Sequence, residues 1–194
     1  MSKKNTRNTK GKIISAAWKL FYEQGYADTT IDEIILESKT SKGSFYHYFE
    51  GKDALLGSLS YLFDEKYEEL EDQLKDFSSC MDKLIFLNQE LFSMIENSIS
   101  LELLARLLST QLITKGEKHL LDRNRTYFKL LRKIFHEGQE SGEFRTDMSL
   151  NELVKMYAIS ERALLYDWCI CNGEYSLKSY AQTMMPMFLY RMKA

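Results

Sequence analysis

Proline is almost missing from this chain: Pro186 is the single one among 194 residues, and only nine glycines accompany it. An all-β protein needs such breakers at nearly every turn, so their scarcity excludes that class and makes helix the default. Cysteine is scarce too. Cys80, Cys169 and Cys171 form an odd set without the spacing of a disulfide framework, and the charged N-terminus lacks the apolar core of a signal peptide. The expected setting is the cytoplasm. No unbroken apolar stretch reaches the ~18 residues of a membrane-spanning helix, because charges or amides interrupt each hydrophobic run.

Catalytic signatures are also missing. There is no Gly-x-Ser-x-Gly, no phosphate-binding glycine-rich loop and no dinucleotide fingerprint, and the acids lie on periodic helix faces rather than in matched pairs. The expectation is a non-enzyme without a cofactor. Cys169 and Cys171 sit two apart, which on a helix turns them in different directions, and no histidine stands near them in sequence. They read as buried structural cysteines. His119 and His136 match no metal spacing, which leaves them surface or capping roles and assigns no metal.

What the chain does have is enough apolar material for a compact core, 44% hydrophobic residues, and an uneven charge distribution. Residues 1–52 hold nine Lys and Arg against six Asp and Glu, whereas residues 53–194 hold seventeen against twenty-two. Lys3, Lys4, Arg7, Lys10 and Lys12 fall in the first twelve residues with no acid among them, as suits a flexible arm lying along a phosphate backbone.

Helical periodicity is plain along most of the sequence. Ile13, Ile14, Ala17, Trp18, Leu20 and Phe21 form a first helix, closed by Gly25. Thr30-Ile31-Asp32-Glu33 reads as a capping box opening a short second helix, and Ser41 caps a third that runs through Lys42-Gly43-Ser44-Phe45-Tyr46-His47-Tyr48. Trp18, Phe21, Ile31, Ile34, Phe45 and Phe49 can share one small core. A long amphipathic segment follows over residues 53–75, then helices near 81–96, 99–113 and 119–140. Gly142 to Arg145 is a turn, Ser149-Leu150-Asn151-Glu152 a second capping box for a helix to about Cys171, and Ser176 the cap of a last helix through Met192. The expected fold is all-α with about nine helices, divided into residues 1–52 and residues 53–194.

The third helix is the functional candidate, because its outward positions are polar on an element too short to need them for stability. Small residues such as Ser41, Gly43 and Ser44 let a backbone approach DNA closely, Lys42 can reach guanine acceptors, and tyrosine hydroxyls can donate to phosphates. Thr30 and Lys52 would clamp the DNA backbone on either side.

These residues also carry a family resemblance. Ile13 to Phe21, Gly25-Tyr26, Thr29 to Ile34 and Ser41-Lys42-Gly43-Ser44-Phe45-Tyr46-His47-Tyr48-Phe49, then Lys52 and Leu55, resemble in unbroken register the helix-turn-helix of TetR-family regulators. The resemblance implies an N-terminal helix-turn-helix domain, a C-terminal effector-binding and dimerisation domain, and a homodimer that represses from a palindromic operator in double-stranded DNA. It carries DNA contacts onto Thr30, Thr40, Lys42, Gly43, Ser44, Tyr46, His47, Tyr48 and Lys52, with base reading from Thr40, Lys42, Ser44 and His47. At the turn, Ser38-Lys39-Thr40 replaces the usual Ala-Gly-Val, so a residue with a Cβ has to enter the left-handed region at a cost of ~1 kcal/mol.

The same resemblance pairs the last two long helices with their symmetry mates through Leu153, Met156, Tyr157, Ala163, Leu164, Met184, Met185, Met187 and Phe188. Phe86, Phe92, Met94, Phe128, Tyr166 and Trp168 are the candidate lining of a pocket for an apolar or aromatic small-molecule effector, although for each of them ordinary core packing is the simpler role. An effector pushing the 53–75 segment would move the two recognition helices apart. The competing class is a helical dimer that binds a small molecule or protein and has lost specific DNA binding.

Overall fold

The structure is a computed structural model that describes residues 3–113, 115 and 118–194, and for residues 3–8 only the course of the backbone. Its described residues form α-helices joined by short turns: α1 (Lys3–Gln24), α2 (Ile31–Ser38), α3 (Lys42–Tyr48), α4 (Lys52–Leu56), α5 (Leu59–Leu70), α6 (Cys80–Ser98), α7 (Leu101–Ile113), α8 (Thr126–Glu140), α9 (Leu150–Ile170) and α10 (Leu177–Tyr190). Taken as one broken helix, α4 and α5 occupy the amphipathic stretch expected over 53–75, whose end is a 3-10 turn at Glu71–Asp76.

The N-terminal helices begin and end where local chemistry dictates. Gly25 takes φ +87° and closes α1 through its N–H to the Phe21 carbonyl at 3.1 Å. The Thr30 hydroxyl accepts from the Glu33 N–H at 3.2 Å while the Glu33 carboxylate accepts from the Thr30 N–H at 2.7 Å, which completes the capping box of α2. Phe21, Ile34, Phe45 and Phe49 are buried together, with Trp18 and Ile31 half-buried against them. Helix α1 reaches back to Lys3, so the basic stretch continues a helix instead of trailing as an arm; the side chains of Lys3, Lys4 and Arg7 lie outside the described residues.

Two departures have causes that hydrophobic periodicity does not show. Between α4 and α5 the backbone stays close to helical at Gly57 and Ser58, and His119 packs on Gly57, where a Cβ would stand 2.4 Å from its ring. Helix α8 starts at Thr126, not near 119, since His119–Leu121 forms a separate 3-10 turn and the Asp122 carboxylate accepts from the Asn124 N–H at 2.9 Å, a local bond that competes with the helix.

Farther along, α6 packs chiefly on α10 and α8, and α9 runs beside α8, α10 and α7. The turn after α8 is fixed by Glu143, whose carboxylate accepts from the Ser79 hydroxyl at 2.6 Å and from the Cys80 and Met81 N–H groups at 2.7 and 2.9 Å, at the N-terminus of α6. The buried apolar side chains form a continuous core from Ile13 to Met192. Among the described residues no helix is long and apolar enough to cross a membrane.

Candidate nucleic-acid interface and interior cavity

Helices α2 and α3 are joined by a turn in which Lys39 adopts φ 53° and ψ 42°, the left-handed conformation expected where the family pattern has glycine. The strain has local compensation. The Lys39 and Thr40 N–H groups bond the Leu36 and Ile35 carbonyls at 3.1 and 3.2 Å, which meets two end carbonyls of α2. The Ser38 and Thr40 hydroxyls also bond each other at 2.8 Å, so Thr40 is partly engaged inside the turn.

Ser41 caps α3 by accepting from the Ser44 N–H at 3.1 Å, and its hydroxyl lies 2.9 Å from that of Ser44. The outward face of α3 then presents Lys42, Gly43, Tyr46 and His47, all exposed, with Ser44 and Tyr48 half-buried. Lys42 stands 3.6 Å from Asp32 in an ion pair whose side chains are both mostly in solvent, a contact easily exchanged for a phosphate or a base edge. A Cβ placed on Gly43 would meet only the Ser41 hydroxyl, at 3.9 Å, so the backbone there is open. Thr30 is exposed beside this face at the N-terminus of α2.

Lys52 behaves differently from expectation. Its ammonium donates inward to the carbonyls of Tyr26, Thr29 and Ala27 at 2.6, 2.7 and 3.3 Å and lies 4.4 Å from the Tyr26 ring centroid. Three carbonyl acceptors and a ring use its charge within the fold, so it fastens the α1–α2 loop. The Tyr26 hydroxyl donates to Asp53, and burial, then this bond, raises its pKa. The Arg106 guanidinium from α7 stacks on the same ring at 4.8 Å, joining α7 to the loop that leads into α2.

Between α5, α6, α7, α8 and α9 lies an interior cavity of about 50 Å³. Leucines of α7 (Leu104, Leu107, Leu108), Phe63, Leu91 and Phe92 line its apolar side, and Tyr67, Tyr127, Arg125, Glu161 and Arg162 its polar side. Arg125 pairs with Asp64 through two bonds of 3.0 and 3.1 Å. Glu161 accepts from Asn88 at 2.9 Å and from the Tyr127 hydroxyl at 2.6 Å, and burial raises its pKa against these bonds.

Of the six expected pocket residues only Phe92 lines this cavity. Phe86 pairs with Phe77 at 4.9 Å, Met94 packs on the core edge, and Phe128 is buried against Tyr127. Tyr166 donates to the Leu108 carbonyl and Trp168 to that of Tyr175. Sequence reasoning favoured aromatics, whereas leucines are the commonest residue of the wall and α7 supplies three of them; the leucine-rich face of that helix was the available signal.

The expected dimer residues divide as well. Leu153, Tyr157, Leu164 and Met185 are buried within the chain itself, so they cannot supply a surface. Ala163 and Met187 are exposed, and Met156, Met184 and Phe188 half-buried. Beside these, Ile159, Ile170, Tyr180 and Tyr190 are large exposed apolar side chains of α9 and α10 that the sequence reading did not single out. Cys80 is buried and Cys169 and Cys171 are half-buried, and no cluster that could hold a metal occurs among the described residues.

Comparison with known proteins covers both halves of the chain. Residues 13–59 match the profile described as bacterial regulatory proteins, tetR family, and residues 62–190 match the C-terminal region of YsiA-like protein. The fatty acid metabolism regulator protein of Bacillus subtilis (strain 168) is 23% identical over 182 residues, 92% of each chain. The transcriptional regulator QacR of Staphylococcus aureus (strain Mu50) is 28% identical over 144 residues, 71% of this chain and 74% of that one. The structure of FadR from Thermus thermophilus, a TetR-family repressor in complex with lauroyl-CoA, superposes with a TM-score of 0.78 over 92% of each chain at 22% identity.

Proposed function

Because this chain belongs to the TetR family of bacterial transcription regulators, we propose that it is a repressor whose homodimer grips a palindromic operator and lets go when a small molecule occupies the interior cavity. Residues 1–52 read DNA and residues 53–194 dimerise and sense. The observation that carries this is the outward face of α3, where Lys42, Tyr46 and His47 stand exposed on a capped helix with open backbone at Gly43. Lys42, Ser44, His47 and Thr40 read base edges, while Thr30, Tyr46 and Tyr48 meet phosphates. Lys52 supports the site from behind by holding the α1–α2 loop.

The apolar face of α9 and α10, with Ile159, Ala163, Ile170, Tyr180, Met187 and Tyr190 exposed, is the surface for the second copy. A two-fold dimer presents its α3 helices to half-sites about one helical turn apart, ~34 Å, or a multiple of it. The leucine-lined cavity supports an effector with an apolar part; the Thermus thermophilus relative is in complex with lauroyl-CoA, of which the acyl chain is the apolar part. Helix α7 provides the coupling: Leu104, Leu107 and Leu108 face the cavity, and Arg106 on the same helix holds Tyr26 at the entrance to α2.

The test is selection of bound sequences from a random duplex pool, followed by titration of the winner at two salt concentrations. A palindrome bound by a dimer, with affinity falling steeply as salt rises (about 0.9 log units per log unit of salt for each phosphate contact) and weakened by Lys42→Ala and Tyr46→Ala, is expected. No enriched sequence from folded, ligand-free protein would overturn the reading in favour of a ligand- or protein-binding module.

A further inference from the structure

Most of the cavity wall is apolar, yet one side carries chemistry that helix packing does not require. Glu161 is 4% exposed, and its carboxylate accepts from Asn88 and Tyr127. Tyr67, 1% exposed, lines the same cavity, and its hydroxyl has no hydrogen-bond partner among the described residues. The other such atom among the described residues is Asn88 Oδ1, on the side chain that holds Glu161. An unmet buried polar group costs more than a typical hydrogen bond gains, and native cores keep few of them. Here Tyr67 lines the cavity directly, and Asn88 stands behind it, bonded to Glu161.

Charge narrows what can meet them. Arg125 is already neutralised by Asp64, and Arg162 lines the cavity next to Glu161. With Arg125 paired, the Glu161 carboxylate and the Arg162 guanidinium are left at the wall, one charge of each sign, so an incoming ion of either sign gains from one and is opposed by the other. The group that fits is uncharged, accepts from the Tyr67 hydroxyl and donates to Glu161. A hydroxyl does both at the smallest size.

We propose that the cavity binds an uncharged apolar alcohol or phenol, its hydroxyl held between Tyr67 and Glu161 and its hydrocarbon against Phe92, Leu104 and Leu107. This rests on the cavity being the effector site of the proposed regulator. At about 50 Å³ the space takes the hydroxyl and the adjoining carbons, since a water-sized group needs roughly 10–15 Å³ by the same measure. The rest of the ligand displaces the leucines of α7.

Calorimetric titration of the full chain with 1-octanol, heptyl methyl ether, octylammonium, octanoate and octanoyl-CoA tests this. The expected order puts 1-octanol first, with the ether, which accepts but cannot donate, about three- to tenfold weaker. Tyr67→Phe is expected to weaken 1-octanol by a similar factor, to leave the ether within about twofold, and to raise the melting temperature by removing the unmet hydroxyl. Equal or tighter binding of octanoate, octylammonium or octanoyl-CoA overturns the proposal. So does an unchanged Kd for 1-octanol in Tyr67→Phe, the result expected if that hydroxyl serves only an ordered water. The ligand-side comparison stands even if the variant folds poorly. Operator release is measured separately: selective 1-octanol binding that leaves operator affinity unchanged supports the site and refutes the regulatory reading. Release by octanoyl-CoA without 1-octanol binding does the reverse.

Discussion

Replacing Asp64 by alanine should cost this protein ~3–4 kcal/mol, a large share of the ~5–15 kcal/mol that holds a typical domain together. The Asp64 and Arg125 side chains are 12% and 9% exposed, and Asp64 accepts both guanidinium bonds as well as the backbone N–H of Tyr127 at 3.1 Å. Its loss leaves a nearly buried cation and an unmet donor in the first turn of α8. Breaking one partner of a buried pair costs about 3–5 kcal/mol; the lower part applies because Arg125 keeps the Ser60 carbonyl at 3.0 Å. Converting both residues, in Asp64→Leu with Arg125→Met, removes the stranded charge and should recover at least half of the loss, because apolar replacements of buried pairs are often neutral. Urea unfolding of the wild type, Asp64→Ala, Asp64→Leu, Arg125→Met and the double variant closes the cycle, at one fixed protomer concentration since the proposed dimer would unfold by mass action. An Asp64→Ala loss under ~1 kcal/mol, or a double variant no more stable than the single, would refute the reasoning.

Two further outcomes follow from the connections around this centre. Burial pushes the Glu143 carboxyl up, but the bonds from Ser79, Met81 and Cys80 outweigh it and hold its pKa below the usual value. Its stabilisation is therefore complete above the unfolded pKa of about 4.3 and is lost as pH falls through the lower folded value. Glu143→Gln should cost ~1 kcal/mol at pH 7, a modest cap-sized figure since the carboxylate is partly exposed, and the gap to wild type should close below about pH 4 in urea titrations. Arg106→Gln removes the cation over Tyr26, worth ~0.5–1 kcal/mol at a partly exposed site. Amide exchange at residues 26–29 should then quicken about two- to fivefold, and unchanged exchange would remove Arg106 from the coupling route.

The helix ends were legible because their causes are local. Thr30 with Glu33, Ser149 with Glu152, and the lone caps Ser41 and Ser176 each complete their bonds within three residues. The left-handed turn at Lys39 was legible for the same reason. By contrast, the lack of room for a side chain at Gly57 depends on His119, and the start of α8 coincides with the Arg125 bond to Asp64, partners sixty or so residues away that no window of sequence brings together. The cavity was misplaced on similar grounds: periodicity marks a residue as apolar without saying which neighbours fail to close over it.

Helix α9 shows where that ambiguity becomes informative. Leu153, Tyr157 and Leu164 face the chain's own core, while Ile159 and Ile170 on the same helix face outward at 48% and 76% exposure. Large apolar side chains on the outward side of a helix, here set among Glu152, Lys155 and Asp167, are candidates for burial against a partner. One copy of this chain buries only one side of α9, and the neighbouring exposed side chains of α10, Met187 at 62% and Tyr190 at 72%, extend the uncovered surface. Four of the nine residues expected at the dimer contact are core; if the proposed dimer forms on the exposed side, the sequence specifies two burials at once, and its periodicity cannot tell the one within the chain from the one between chains.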